Sequence, residues 1–385
     1  MSKSVKRVPL YKQIEQYIFD QMRLHDWKAH HKLPSETELA SLFDVSRLTV
    51  KNALLNLMDK GLVYRIQGKG SYISDMSGEP VLYEASPADN KEKFIALILP
   101  LAKTIRSLHL INGIEEELSK HGYHLLLCKT YNSKEKEKQV LQDVLRLNVA
   151  GIIIYPVEGV TYSEDILRLT LNPYPLVIVD RYLRGIETNC VFSANSRGAY
   201  EAISHLIQLG HTKVGFVSTE SKDTSSIEDR LAGYEQALAD FKLPVEHRMR
   251  RTQFQLDQVN LMISEGRIDD SVKSEIQSFI KQNPDMTAIF AVNSALGLSV
   301  IETASDMGIR VPEDLSVCFF DDYEFSTFSR IAPTCVLQQE HLVGQEAVKL
   351  ILSFIENPDQ ERRRVEIPTK LVIRKSTAPM GVHAP

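Results

Sequence analysis

The stretch Leu33-Pro34-Ser35-Glu36-Thr37-Glu38-Leu39-Ala40, followed shortly by Asp44-Val45-Ser46-Arg47-Leu48-Thr49-Val50-Lys51-Asn52-Ala53-Leu54, decides how the chain begins to fold. Ser35 and Glu38 stand three apart, as a capping box requires. The hydroxyl takes the free N–H at the third helical position, and the carboxylate reaches back to the cap's own N–H. A short helix therefore runs to about Phe43, with Leu39, Ala40 and Phe43 inward. Ser46 caps another helix to about Lys60, whose apolar residues Val50, Ala53, Leu54 and Leu57 repeat at i, i+3, i+4 and i+7. Arg47, Thr49, Lys51 and Asn52 lie largely off that stripe, and Gly61 ends the helix.

Upstream, Leu10, Ile14, Tyr17, Ile18 and Met22 mark a first helix over Leu10–Leu24. Downstream, Leu62–Ile66 and Ser71–Ile73 flank Gln67-Gly68-Lys69-Gly70, two strand-like runs around a glycine-rich tip. Two short helices joined by Asp44-Val45, the second with Arg, Thr and Lys in its first turns, form a helix-turn-helix pattern. Such a helix suits base edges and phosphates in a major groove, and Lys69 at the hairpin tip makes a wing. From residues alone, a protein-interaction module with a solvated helix face stays open. The Gly68-Lys69-Gly70-Ser71 run lacks the spacing of a phosphate loop. His25, His30 and His31 read as a solvated turn rather than a metal site.

Pro9-Leu10-Tyr11, Leu33-Pro34-Ser35-Glu36, the Val45–Leu54 run and Gly68-Lys69-Gly70-Ser71 occur in the order found in the GntR-family winged helix, which residues 8–74 resemble. The resemblance implies DNA contacts from Thr37, Ser46, Arg47, Thr49, Lys51, Gln67, Gly68 and Lys69. Two departures stand out. Lys28-Ala29-His30-His31-Lys32 replaces the usual Pro-Gly turn, and Lys51 replaces a more usual Arg, offering a point charge instead of a bidentate fork.

Charge divides the chain similarly. Its 385 residues carry a net −5, but residues 1–75 hold twelve Lys/Arg against eight Asp/Glu, leaving the remainder at −9. A basic segment on an acidic body points to one small part meeting a polyanion. Gly78, Pro80 and Pro87 interrupt a polar stretch, which reads as a linker. The expected division is 1–75 for the winged helix, 76–93 for the linker and 94–385 for the rest. Composition is that of a globular protein, 43% hydrophobic and 25% charged. No run reaches the ~18 apolar residues of a membrane span, and no signal-peptide core follows the polar start. Cys128, Cys190, Cys318 and Cys335 lack C-x-x-C spacing and read as buried thiols. The expectation is a cytoplasmic protein without membrane partner, metal or cofactor.

From Phe94 the period changes. Phe94–Pro100, Tyr123–Cys128, Ala150–Pro156 and Leu176–Asp180 are strand-like, with helical stripes between them. A second set has strands at Lys213–Val217, Thr287–Val292 and Leu315–Asp321. Such alternation means α/β architecture, two doubly wound parallel sheets with a cleft at the strands' carboxyl ends. Polar residues follow those ends at Asp180-Arg181, Asn293-Ser294 and Asp321-Asp322. Carboxylates, amides and Arg suit a neutral hydroxyl-rich molecule.

Val177–Arg181, Asn195 with Gly198-Ala199, Arg230–Tyr234, Val311–Val317, Phe320–Asp322 and Pro333–Gln338 together resemble the LacI-family effector domain, which is similar to periplasmic sugar-binding proteins. The resemblance implies effector contacts from Asp180, Arg181, Arg230, Asn293, Asp321 and Gln338. Here Asn293-Ser294 and Ala194-Asn195 replace the family's Asn-Asp and Asp-Asn. A GntR winged helix fused to a LacI-type domain is the architecture of the arabinose-repressor group. That implies a homodimeric repressor of carbohydrate genes, released from its DNA operator by a sugar, a pentose favoured. A purine or corepressor ligand, with Tyr155, Tyr182 and Phe320 as stacking walls, is the alternative. A sugar-processing enzyme fused to a DNA-binding module is the rival class, but no phosphate loop, nucleophile elbow or metal-ligand helix supports it.

Overall fold

A computed structural model describes residues 10–23, 27–59, 62–66, 69–74, 93–101, 104–157, 163–220, 224–323 and 330–381. Gln67, Gly68 and all of the expected linker except Lys93 lie outside the described residues. Helices α1 (Leu10–Arg23), α2 (Glu36–Phe43) and α3 (Arg47–Asp59) precede an antiparallel hairpin of β1 (Val63–Ile66) and β2 (Gly70–Ile73). Both bonds of the capping box form: Glu38 N–H donates to Ser35 Oγ at 3.2 Å, and Ser35 N–H to Glu38 Oε2 at 2.7 Å. Asp44, at φ 50°, closes α2 while Val45 N–H returns to the Ala40 carbonyl. Ile14, Ile18, Leu39, Val50, Ala53, Leu54 and Leu57 form the buried core. Leu10, expected inward, is half exposed because it is the first residue of α1 and the core begins a turn later.

The remainder runs β3 (Lys93–Leu99), α4 (Ile105–Lys120), β4 (Tyr123–Lys129), α5 (Lys134–Arg146), β5 (Gly151–Ile154), α6 (Glu164–Leu171), β6 (Leu176–Val179) and β7 (Cys190–Ser193). Then come α7 (Asn195–Gln208), β8 (Val214–Thr219), α8 (Ser225–Asp240), β9 (Arg250–Phe254), α9 (Leu256–Glu265), α10 (Asp270–Gln282), β10 (Ala288–Ala291) and α11 (Ser294–Asp306). It finishes with β11 (Ser316–Phe320), β12 (Thr334–Leu337), α12 (Glu340–Glu356), β13 (Arg364–Ile367) and β14 (Lys370–Val372). One sheet has the order β4-β3-β5-β6-β7-β13, all parallel. The other, β9-β8-β10-β11-β12-β14, is parallel except for antiparallel β14.

Parallel strands covered by helices on both faces must be apolar throughout, and β5, β6, β10 and β11 are buried at every residue. The chain crosses between the two lobes three times: after β7 into α7, after β12 into α12, and between β13 and β14. Helix α12 therefore returns to the first lobe and packs on α4. The two helices touch backbone to backbone: a Cβ at Gly113 would lie 2.1 Å from the His341 carbonyl oxygen, and one at Gly344 would lie 2.6 Å from that of Leu110.

Candidate functional site

Two surfaces carry the polar residues singled out by sequence. On the winged helix, Ser46 Oγ accepts the Thr49 N–H at 3.1 Å and lies 2.9 Å from Thr49 Oγ1, fixing the start of α3. Thr37, Ser46, Arg47 and Lys51 are exposed, Thr49 is half-buried, and Lys69 stands exposed at the hairpin tip. Lys69 N–H donates to the Ile66 carbonyl at 3.0 Å, closing the turn. Among the described residues the side-chain charges of Arg47, Lys51 and Lys69 have no acidic partner, whereas Arg65 is paired with Glu36 at 3.1 Å. Unneutralised, exposed cations on α3 and at the hairpin tip are available to a polyanion such as a phosphate backbone.

In the second unit a cavity of about 410 Å³ opens between the lobes, within the size range of small-molecule sites. Asp180, Arg181, Asn293, Asp321 and Gln338 line it, each at or just beyond a strand end. Asp180 follows β6 at φ 72° and Asp321 follows β11 at φ 71°. This left-handed conformation is uncommon outside glycine, though Asp tolerates it, and such outliers cluster at binding sites. The two carboxylates belong to different lobes, yet they close on one guanidinium. Arg106, in the first turn of α4, donates from Nη2 to Asp180 Oδ1 at 3.0 Å and from Nη1 to Asp321 Oδ2 at 2.9 Å. Its Nε donates to Glu340 Oε1 at 2.5 Å. Gln338 Nε2 donates to the other Asp321 oxygen at 2.5 Å.

Burial alone would weaken the charge on Arg106, but Asp321, Glu340, Tyr155 and Asp180 outweigh it and push its pKa well above the ordinary value. Burial likewise opposes ionisation of Asp180, yet Arg106, Arg181 and Arg230 hold its carboxyl below the usual range. At Glu340 burial wins over Arg106 and the pKa rises. Arg181 lies 3.6 Å from Asp180 and over the Tyr155 ring at 5.3 Å. Asn293 caps α11, its oxygen accepting the Leu296 N–H at 2.9 Å, so its amide NH₂ is what it can offer a ligand.

Arg230 does not line the cavity, although its charge acts on Asp180. It is buried, donating to Asn195 Oδ1 at 2.9 Å and the Val292 carbonyl at 2.6 Å, and it lies 3.8 Å over the Phe320 ring. Sequence reasoning missed Arg106 and Glu340, which stand in the first turns of α4 and α12 rather than directly at a strand end, where the other cleft residues lie. Asp321 and Asp322 diverge, the latter pairing with Arg374 at 2.6 Å. His211 reaches Thr287 Oγ1 at 2.9 Å and the Ala378 carbonyl at 3.0 Å, tying down the C-terminal segment. Of the three proposed stacking walls, Tyr155 lines the cavity. Tyr182 is covered by Arg364 at 3.8 Å and Phe320 by Arg230.

Comparison with known proteins follows the same division. Residues 10–73 match the family described as bacterial regulatory proteins, gntR family, and residues 203–377 match the periplasmic binding protein-like domain. An arabinose metabolism transcriptional repressor of Geobacillus stearothermophilus is 28% identical, over 97% of this chain and 98% of its own. An HTH-type transcriptional repressor PurR of Haemophilus influenzae is also 28% identical, over 80% of this chain and 88% of its own. The crystal structure of the transcription regulator CcpA of Lactococcus lactis superposes with a TM-score of 0.65 at 19% identity, covering 74% of this chain and all of that one. The expected fold class is thus the observed one, and the relatives are transcriptional regulators rather than enzymes. The chain joins a DNA-binding winged helix of the GntR family of bacterial regulatory proteins to a periplasmic binding protein-like domain.

Proposed function

We propose that this DNA-binding transcriptional repressor is a cytoplasmic homodimer that releases a carbohydrate operator when a neutral sugar fills the interlobe cavity. Residues 1–75 act as the reader, 76–93 as the connector and 94–385 as the effector and dimerisation unit. Ser46, Arg47, Thr49 and Lys51 meet the major groove, Thr37 the flanking backbone, and Gln67, Gly68 and Lys69 the adjoining groove. Asp180, Arg181, Asn293, Asp321 and Gln338 take the effector hydroxyls, and Arg230 supports them from beneath Phe320.

The observation that carries this reading is the Arg106 guanidinium held between Asp180 of one lobe and Asp321 of the other. A polyhydroxy molecule offers donors to both carboxylates and acceptors to Arg106, so it binds best when the lobes approach. The lining holds Asp180, Asp321 and Glu340 against Arg106 and Arg181, which disfavours anionic sugars such as phosphosugars. A pentose, arabinose first, is favoured by the nearly full-length likeness to the Geobacillus arabinose repressor. Operator and sugar oppose each other by linkage, and a coupling of about 3 kcal/mol lowers operator affinity roughly 150-fold. Tyr182 and Phe320 are covered by arginines and do not line the cavity, which weighs against the purine alternative built on them.

The test is fluorescence anisotropy of the full chain on duplexes selected from a random pool, with and without arabinose, ribose, xylose, glucose, adenine and hypoxanthine. Release by a pentose supports the reading. Release by a purine alone, or indifference to every sugar, overturns it.

A further inference from the structure

Helix α3 has two faces. Val50, Ala53, Leu54 and Leu57 are buried, and Leu48, Lys51, Asn52 and Leu55, spaced i, i+3, i+4 and i+7, form the exposed stripe opposite. Leu48 is 65% exposed, more than any other large apolar side chain among the described residues of the winged helix. It stands in the first turn between Arg47 and Thr49, where the Ser46–Thr49 bonds fix the backbone. Asn52, one turn on, is also exposed, and among the described residues its amide has no partner. In a major groove such a face meets matching surface, because thymine presents a methyl group there and adenine the N7/N6 pair that an amide matches with two bonds.

We infer that Leu48 packs on a thymine methyl and Asn52 forks onto a nearby adenine, so that α3 reads A·T pairs with residues outside the charged set. The inference rests on the reading of α3 as the groove-entering helix. Four residues of helix advance about 6 Å, and stacked bases about 3.4 Å, so the two contacts fall one or two base pairs apart. Arg47, Thr49 and Lys51 hold the helix in register around them.

The experiment selects a duplex with the full chain from a random pool. It then replaces each thymine singly by deoxyuridine, which lacks the methyl, and each adenine by 7-deazaadenine, which lacks the N7 acceptor. One deoxyuridine per half-site is expected to weaken wild-type binding about fourfold, the value of one buried methyl. Leu48→Ala should bind the thymine and deoxyuridine duplexes equally. One 7-deazaadenine, one or two pairs away, should weaken wild-type binding and leave Asn52→Ala unaffected. If the full chain selects no sequence, the groove reading fails and takes this inference with it. If it selects one but every deoxyuridine is neutral, or Leu48→Ala keeps the wild-type penalty, the inference alone is overturned.

Discussion

Replacing Arg106 with Met removes the one cation shared by Asp180, Asp321 and Glu340 while keeping the side chain's bulk. The carboxylates retain little access to water: their side chains are 9%, 3% and 11% exposed, and Arg106 itself is 24% exposed. Breaking a buried ion pair by deleting one partner costs about 3–5 kcal/mol, because the other charge is left uncompensated. At about 2 °C per kcal/mol for a unit of this size, Arg106→Met should melt roughly 6–10 °C lower at pH 8. The pH dependence has a definite sign. In the wild type the lowered Asp180 pKa contributes stability above its unfolded value of about 3.9, lost as pH falls through the folded value. In Arg106→Met, Asp180 loses the foremost of the charges that lower its pKa and Glu340 the charge that opposes its burial, so both folded values move up and the added penalty fades as these groups protonate. The melting gap between wild type and variant should therefore be wide at pH 8 and narrower at pH 5. Arg106→Lys should recover part of it, since one ammonium cannot span three carboxylates as a planar fork does. Scanning calorimetry at both pH values measures this. A gap under about 2 °C at pH 8, or an equal gap at pH 5, would refute the reasoning.

Arg47→Ala should weaken operator binding and flatten its sequence preference; unchanged binding to the selected duplex would remove α3 from the groove. Lys69→Ala should weaken all duplexes alike and reduce the salt slope by about 1, read from binding titrations at several salt concentrations. Asp321→Asn should leave operator affinity within about twofold while abolishing release by the effector, and normal release would exclude the cavity as the effector site. Gly113→Ala should destabilise the α4–α12 contact by about 3 kcal/mol or more, because its methyl group would overlap backbone that cannot step aside. Denaturant unfolding checks it, and a variant of wild-type stability would mean the helices can separate freely.

Most of the architecture was legible because strong local signals agreed with long-range packing. The Ser35–Glu38 box, the Val50–Leu57 stripe and the apolar runs at β3, β5 and β6 each name an element and its buried face. Part of what went unread was polar or distant, although α10 and α12 went unread despite their apolar stripes. Strand β9, Arg250-Arg251-Thr252-Gln253-Phe254, lies at a sheet edge and carries no apolar run, so its backbone pairing with β8 left no mark on side-chain pattern. Strands β13 and β14 are short edge strands whose partners lie far away in the chain. The cleft was half readable: Asp180, Asn293 and Asp321 follow apolar strands directly. Arg106 lies seven residues beyond β3 and Glu340 opens a helix not read from sequence, so their meeting depended on the lobe arrangement. The location of Arg230 beneath Phe320 had no sequence signal, since an Arg on a helix reads the same whether it faces a ligand or a ring.

Neither lobe is a continuous piece of chain, and this bears on how the protein is made. The sheet begun at Lys93 keeps the β7 edge open until β13 emerges, and residues 194–363 must be synthesised in between. At 5–20 residues per second the ribosome takes roughly 10–30 s over that interval. During it, a nascent strand edge waits unmated beside a lobe still being built. A gene cut after β7 would leave β13, the first lobe's closing strand, on the second fragment, so truncation mapping of this regulator should respect all three crossings at once.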